Sequence, residues 1–238
     1  MKKYDKKVLI LLNAYAKLPA FLHQANRLKE EFAELGVEAD VRRNDEFYAY
    51  LDDSGRLQSK LSGYDACIYL DKDKYTSQML EKCGLRLFNS HDAIQACDDK
   101  MTTGILLANN GVPMPKTLAG LLCYDLDEPV KKSSLDIVES ELGYPLIVKT
   151  CYGSLGKGIF KVDGRSQLEK IAEQVKGVPH LYQQYIASSH GKDIRVIVIG
   201  GKAVAGMLRK SQGDFRSNIE LGGVGKRIKL SQEVIDLS

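Results

Sequence analysis

The stretch Tyr144–Val162, reading YPLIVKTCYGSLGKGIFKV, carries the residues best suited to chemistry. An apolar run, Pro145–Val148, ends in Lys149. Gly153, Ser154, Gly156 and Gly158 follow, and Ile159–Val162 then resumes an extended pattern closed by Asp163-Gly164. The loop therefore joins strand to strand. A Walker loop needs its lysine followed by Ser or Thr and a helix, whereas Lys157 precedes Gly158. A dinucleotide loop needs G-x-G-x-x-G opening a helix, and the spacing here is G-x-x-G-x-G. What remains is a hairpin tip whose bare backbone N–H groups can face an anion, with the point charge of Lys149 at its base. An ordinary glycine-rich hairpin would read the same way.

Further cations lie far away in sequence. Arg195 interrupts the apolar run Ile194–Ile199 and, on strand periodicity, shares a face with Ile197 and Ile199. A guanidinium among apolar groups needs an anion, either a protein carboxylate or a ligand. Arg209 and Lys210 end the next extended segment, and Arg216 stands with Ser217 and Asn218 in the loop GDFRSNIELGGVG. Cations converging with Lys100 and Lys149 would suit a polyphosphate, whose charge spreads over many oxygens. Taken singly, each is an ordinary solvated charge.

The elements that must position these groups follow from periodicity. Val8–Leu12 reads as a buried strand, and Leu22, Ala25, Leu28, Phe32 and Leu35 recur at helical spacing up to Gly36. Strands at Val37–Arg43, Ala66–Leu70 and Leu85–Phe88 alternate with a helix at Tyr75–Lys82, and a hairpin is predicted around Asp52–Gly55. This is a small parallel α/β unit. Asn13-Ala14 lies where its first strand ends, as a ligand contact or a helix cap. Asn13-Ala14-Tyr15 lacks the glycines that a dinucleotide-binding oxidoreductase would need there. Helices are predicted from Ser90, from Met101 to Asn110, over Leu135–Leu142 and around Leu168–Val175, with a strand at Leu181–Ile186. A hairpin turning at Gly200-Gly201, an extended Arg227–Leu230 and a helix capped by Ser231 close the chain.

Composition bounds the class. The 238 residues are 44% hydrophobic and 27% charged, with net charge +3, which argues for a soluble chain without nucleic-acid or membrane affinity. Five scattered cysteines form no C-x-x-C pair, and four histidines show no ligand spacing, so no metal ligands are assigned. No apolar run approaches the roughly 20 residues of a membrane span, and no leader is legible. The expected setting is reducing and cytoplasmic.

The stretches FNSHDAIQACDDKMTTGILLANNGVPMPKT, YPLIVKTCYGSLGKGIFKV, YQQYI and GKDIRVIVIGGKAVAGMLRKSQGDFRSNIELGG, in this order, resemble the ATP-grasp superfamily and, within it, the RimK-like carboxylate–amine ligases. They cover most of residues 87 to 230. The resemblance implies an α/β (α+β) ATP-grasp fold: an N-terminal pre-ATP-grasp domain at 1–89, a central lid subdomain with the glycine-rich flap at 90–186, and the start of a C-terminal subdomain at 187–238. It implies that ATP converts a carboxylate to an acyl phosphate, which an amine, glutamate or a similar amino acid, then attacks. Lys100 and Lys149 would bind phosphates under a flap built from Gly153, Ser154, Gly156 and Gly158. Gln184, Tyr185 and Ile186 would line the adenine pocket, and Asp193 would accept from ribose or from a phosphate-binding neighbour. Arg195 would sit by the acyl phosphate, and Arg216, Ser217 and Asn218 would hold substrate and phosphate oxygens. A homo-oligomer is in keeping with the family.

Two departures stand out. The family carries glutamate where Gln184 stands, so a charge is missing beside the base. The family's magnesium ligands follow in a later strand and a Glu-x-Asn motif, so Mg2+ would be held beyond Ser238. The expectation is a truncated chain, with a nucleotide-binding protein lacking turnover as the alternative.

Overall fold

The computed structural model describes residues 5–238. Contacts divide the chain into two compact units, one ending at Asp98 and the other running from Asp99 to Ser238. The helix His91–Asp98 thus belongs with the first unit, beyond the 89/90 boundary drawn from sequence.

In the first unit, β1 (Lys7–Leu12) is the centre of a parallel sheet ordered β2 (Glu38–Arg43), β1, β5 (Ala66–Leu70), β6 (Arg86–Phe88). Both faces of β1 are covered, which is why Val8–Leu12 is apolar without alternation. Val8, Ile10 and Leu12 pack with Ala25 of α1 (Pro19–Glu34), and Leu9 and Leu11 pack with Leu80 of α2 (Lys74–Lys82) and Ile94 of α3 (His91–Asp98). The hairpin β3 (Ala49–Leu51) and β4 (Leu57–Ser59) turns where Asp52–Gly55 predicted it.

Asn13 is neither a helix cap nor free. Helix α1 starts after Leu18, with no side-chain cap. The Asn13 amide instead donates to the Asp71 carboxylate at 3.0 and 3.2 Å, and Asn44 donates to Asp71 at 3.0 Å. Arg43 donates to the carbonyls of Asn13, Ala14 and Ala16. The ends of β1, β2 and β5 are thereby knotted into one polar cluster.

The second unit begins with α4 (Lys100–Leu107), capped by Asp99, whose carboxylate accepts from Met101 N and Thr102 N. Strand β7 (Thr117–Ala119) follows two prolines and was not predicted. It joins an antiparallel sheet ordered β7, β10 (His180–Gln184), β8 (Leu146–Thr150), β9 (Ile159–Val162). One face, carrying Leu146, Val148, Val162 and Tyr182, packs on Leu135 and Val138 of α5 (Lys132–Leu142) and on Leu168, Ala172 and Val175 of α6 (Arg165–Val175). The opposite face carries Ile147, Lys149, Leu181 and Gln183, because side chains alternate along a strand.

A second antiparallel sheet contains β11 (Lys192–Ile199), β12 (Lys202–Lys210) and β13 (Val224–Ile228). Its first hairpin turns at Gly200 and Gly201, which have φ of 58° and 73° and so occupy the left-handed region that glycine tolerates. The register slips between Ile197 and Val198, where Val204 of β12 is the extra residue left without a partner on β11. Strand β13 begins at Val224, ahead of the predicted extended segment. The last helix, α7 (Gln232–Asp236), is capped by Ser231 as its sequence suggests.

Gly120, just after β7, permits a close approach. A Cβ there would lie 2.1 Å from Nε2 of the buried His180 ring. Gly120→Ala is expected to destabilise the second unit by about 1–3 kcal/mol through overpacking. Urea unfolding should show the cost, and the Gly120→Ala/His180→Ala double variant should lose less than the sum of the single variants.

Candidate functional site

Lys149 is the fourth residue of β8, half-buried on the face turned away from α5 and α6. Its Nζ donates to Oε1 of Gln183 at 2.6 Å, and Gln183 Nε2 donates to Thr117 Oγ1 at 2.8 Å. Thr117 Oγ1 in turn donates to Pro115 O at 2.8 Å. This chain of donors fixes the orientation of the Gln183 amide and presents its oxygen to the lysine. Lys149 has no ion pair among the described residues. Burial and the nearby charge of Lys100 push its pKa below the ordinary lysine value.

Lys100 comes from the first turn of α4. Its Nζ donates to Cys151 O at 3.2 Å and Gly153 O at 3.0 Å, and its own N–H donates to Cys151 O. The flap base is thus tied to the helix that delivers the second lysine. Gly153, Gly156 and Gly158 have φ of 120°, 78° and 69°. At Gly158 a Cβ would lie 2.3 Å from Thr150 Oγ1, so both its conformation and its surroundings require glycine. Ser154 is exposed at the tip.

The flap touches the loop after β12. Arg216 donates through Nη1 to Gly156 O at 2.9 Å while its Nε and Nη2 grip Asp214 at 3.0 and 2.7 Å. Asn218 and Leu221 pack so closely on Gly156 that a Cβ there would meet them at 3.1 and 2.8 Å. Arg216 and Asn218 therefore meet the flap, as sequence order alone could not show.

The third cluster is on the β11–β13 sheet. Asp193 and Arg209 are cross-strand partners joined by two hydrogen bonds, Nε to Oδ1 at 2.7 Å and Nη2 to Oδ2. Burial alone would raise the Asp193 pKa. The hydrogen bonds from Arg209 and the buried Ser217, with the charges of Arg209 and Arg195, outweigh it and hold the carboxyl below its ordinary value. The buried arginine of this sheet is Arg209, 9% exposed, whereas Arg195 is exposed. The desolvation argument applied to Arg195 from sequence belongs to Arg209, and Asp193 is the carboxylate that answers it.

The expected base-binding residues lie at and just after the end of β10. Gln184 N donates to Lys116 O at 2.9 Å, and its side-chain oxygen lies 3.4 Å from Lys116 N. Tyr185 hydrogen-bonds His190 through its hydroxyl, with Lys161 over its ring, and the carbonyl of the exposed Ile186 accepts from Ser189 N. A cavity of about 540 Å³ is lined by Lys100, Met101, Thr103, Met114, Thr117 and Gln183, among others. Gln183 rather than Gln184 shares the Lys149 face. One residue of offset moves a strand side chain to the other side, so only the pairing of β8 with β10 could have singled it out.

No group of three or more His, Cys, Asp or Glu side chains among the described residues could hold a metal ion. Asp193 and Asp214 are each committed to an arginine. The residues present do not fit a magnesium site.

A family profile described as the RimK-like ATP-grasp domain matches residues 97–238. The chain belongs to this family. The match covers the whole of the second unit. N-acetylaspartylglutamate synthase A of Homo sapiens is 41% identical over 166 residues, which make up 68% of this chain and 41% of that protein. Beta-citrylglutamate synthase B of Mus musculus is 40% identical, also over 41% of its length. The chain thus spans about two fifths of these relatives. A probable alpha-L-glutamate ligase of Cellvibrio japonicus is 31% identical over 225 residues, covering 88% of this chain and 71% of that protein. Among solved structures, D-alanine–D-alanine ligase from Bacillus anthracis, complexed with ATP, has a TM-score of 0.68 at 17% identity, covering 96% of this chain and 72% of that one. The RimK domain protein from Sphaerobacter thermophilus has a TM-score of 0.65 at 18% identity, covering 89% and 74%. Both show the ATP-grasp fold over the chain.

Two expectations test the site. Lys149 should cost stability while charged, because the unfolded chain keeps its proton to higher pH. The cost should fade as pH rises through the depressed folded pKa towards 10.5. The stability difference between wild type and Lys149→Met, measured by urea unfolding from pH 7 to 10.5, should therefore favour the variant at pH 7 and narrow with pH. Removing the Arg216 tether should loosen the flap. Arg216→Ala should speed tryptic cleavage after Lys157 at least ~3-fold, in line with a lost charge-assisted hydrogen bond.

Proposed function

We propose that this chain carries the nucleotide-handling part of an ATP-dependent carboxylate–amine ligase. The observation that carries the reading is the pairing of Lys100 and Lys149 beneath a glycine flap, with Lys149 held only by a neutral amide. A half-buried lysine with a like charge nearby and a neutral amide as its partner is poised for an anion. The 540 Å³ cavity lined by Lys100 and by Gln183, the partner of Lys149, would take the nucleotide. Residues 90–186, all but the first few in the second unit, and 187–238 would act as lid and C-terminal subdomains.

A substrate carboxylate oxygen would attack the γ-phosphorus of ATP, breaking the bond to the β,γ-bridging oxygen and giving an acyl phosphate and ADP. An amine would then attack the acyl carbon and lose a proton as phosphate departs, leaving an amide. Lys100 and Lys149 would neutralise phosphate oxygens, and Gly153, Ser154, Gly156 and Gly158 would close over them. Gln184, Tyr185 and Ile186 would border the base, and Asp193 would hold Arg209 in place for the phosphates. Arg195 would stabilise the tetrahedral intermediate, while Arg216, Ser217 and Asn218 would orient substrate and phosphate oxygens. Positioning and charge supply the catalysis, and no protein nucleophile is required.

The names of the relatives support a glutamate-type amine and a small carboxylic acid as partners. Five free cysteines suit a reducing, cytoplasmic setting, and no described helix is long and apolar enough to cross a membrane. A second reading, nucleotide binding without turnover, draws on the missing metal cluster among the described residues. The two separate in one assay. With magnesium ATP, phosphate release should require both a carboxylic acid and glutamate. Nucleotide affinity without release under any pair of substrates would select binding alone.

A further inference from the structure

The face of the β11–β13 sheet that carries Asp193 and Arg209 holds a second row of cations. Arg195 lies directly opposite Met207 on β12, and Met207 directly opposite Arg227 on β13. Residues directly opposite in antiparallel strands point to the same side. Arg195, Met207 and Arg227 therefore form one row, beside the row Asp193, Arg209, Gly225.

The two rows differ in charge balance. Asp193 and Arg209 neutralise each other. Arg195 and Arg227 are both exposed, and neither is held by a hydrogen bond or ion pair to a described residue. Nor does Met207 fill the space between them. A Cβ on Gly225 would lie 2.6 Å from Met207 Sδ, so the thioether leans over the neighbouring row. The same Cβ would lie 3.3 Å from Ile219 Cδ1, so the turn 219–221 covers this face. That turn also brings Leu221, with Asn218, against Gly156 of the flap. The unpaired row thus lies on the flap side of the sheet.

Strands are about 4.8 Å apart, so the Cα atoms of Arg195 and Arg227 are separated by about 10 Å. Two arginine side chains can span that gap around a small anion. A single carboxylate needs one guanidinium fork. A molecule with two or three carboxylates can occupy both.

We propose that Arg227 is a specificity-determining residue, holding a second carboxylate of a small di- or tricarboxylic acceptor while the carboxylate to be activated lies beside Arg195. The assignment rests on the ligase reading and narrows its acceptor. Its test does not need turnover. Acetate, succinate and citrate are titrated by calorimetry into the full chain at low ionic strength, with ADP titrated separately. Wild type should bind succinate and citrate at least ~10-fold more tightly than acetate, the effect of one added charge-assisted fork. Arg227→Gln should abolish that preference and leave ADP affinity within about twofold, and Arg227→Lys should keep part of the preference. Equal binding of the three acids by wild type overturns the assignment, as does an unchanged preference in Arg227→Gln. In turnover assays Arg227→Gln should raise KM for a dicarboxylate and leave KM for ATP unchanged. Turnover without that shift would sink the role of Arg227 and spare the ligase. A carboxylate preference that depends on Arg227, without phosphate release, would sink the ligase and spare the anion site.

Discussion

Two ammonium groups, Lys100 and Lys149, come near each other at the root of the flap, the second held by a neutral amide. Burial, and after it the charge of Lys100, depress the pKa of Lys149, while backbone and amide oxygens accept from both ammonium groups. Everything else in the second unit serves that arrangement. Asp99 caps α4 and so fixes where Lys100 starts. The pairing of β8 with β10 sets Gln183 near Lys149, and Thr117 on the edge strand holds the Gln183 amide the right way round. The helices α5 and α6 cover the opposite face, so Lys149 and Gln183 are on the side away from them.

Much of this was legible in residues 144–162, because a lysine after an apolar run and glycines before a second extended run leave few foldings. The parallel unit was equally plain, since a fully apolar β1 can only be buried on both sides. Pairing register was not legible. Gln183 and Gln184 are chemically identical neighbours, and only the register decides which one meets Lys149. The same holds for Arg209. Sequence made Arg195 look like the buried cation, yet Asp193 faces Arg209 across the ladder, and Arg195 faces Met207 in the open. Strand β7 escaped notice because three residues after two prolines carry no periodicity. The start of β13 was lost inside a run of glycines that reads as loop.

Register also explains why the two sheets of the second unit do different things. On the β7–β10–β8–β9 sheet, alternation separates an oily face from a charged one. On the β11–β13 sheet it separates one neutralised cation, Arg209 with Asp193, from the row that holds Arg195 and Arg227. In both, a shift of one residue would exchange the sides and destroy the site without changing composition. Those few hydrogen-bonded ladders therefore constrain function as strictly as the charged side chains themselves.

The bond from Arg216 to the Gly156 carbonyl has a thermodynamic corollary. One guanidinium cannot serve the flap carbonyl and an incoming oxyanion with the same N–H at once, so the two compete for it. Any oxyanion that took that same N–H would have to unlatch the glycine tip, and a latched tip would weaken such an anion by the same factor.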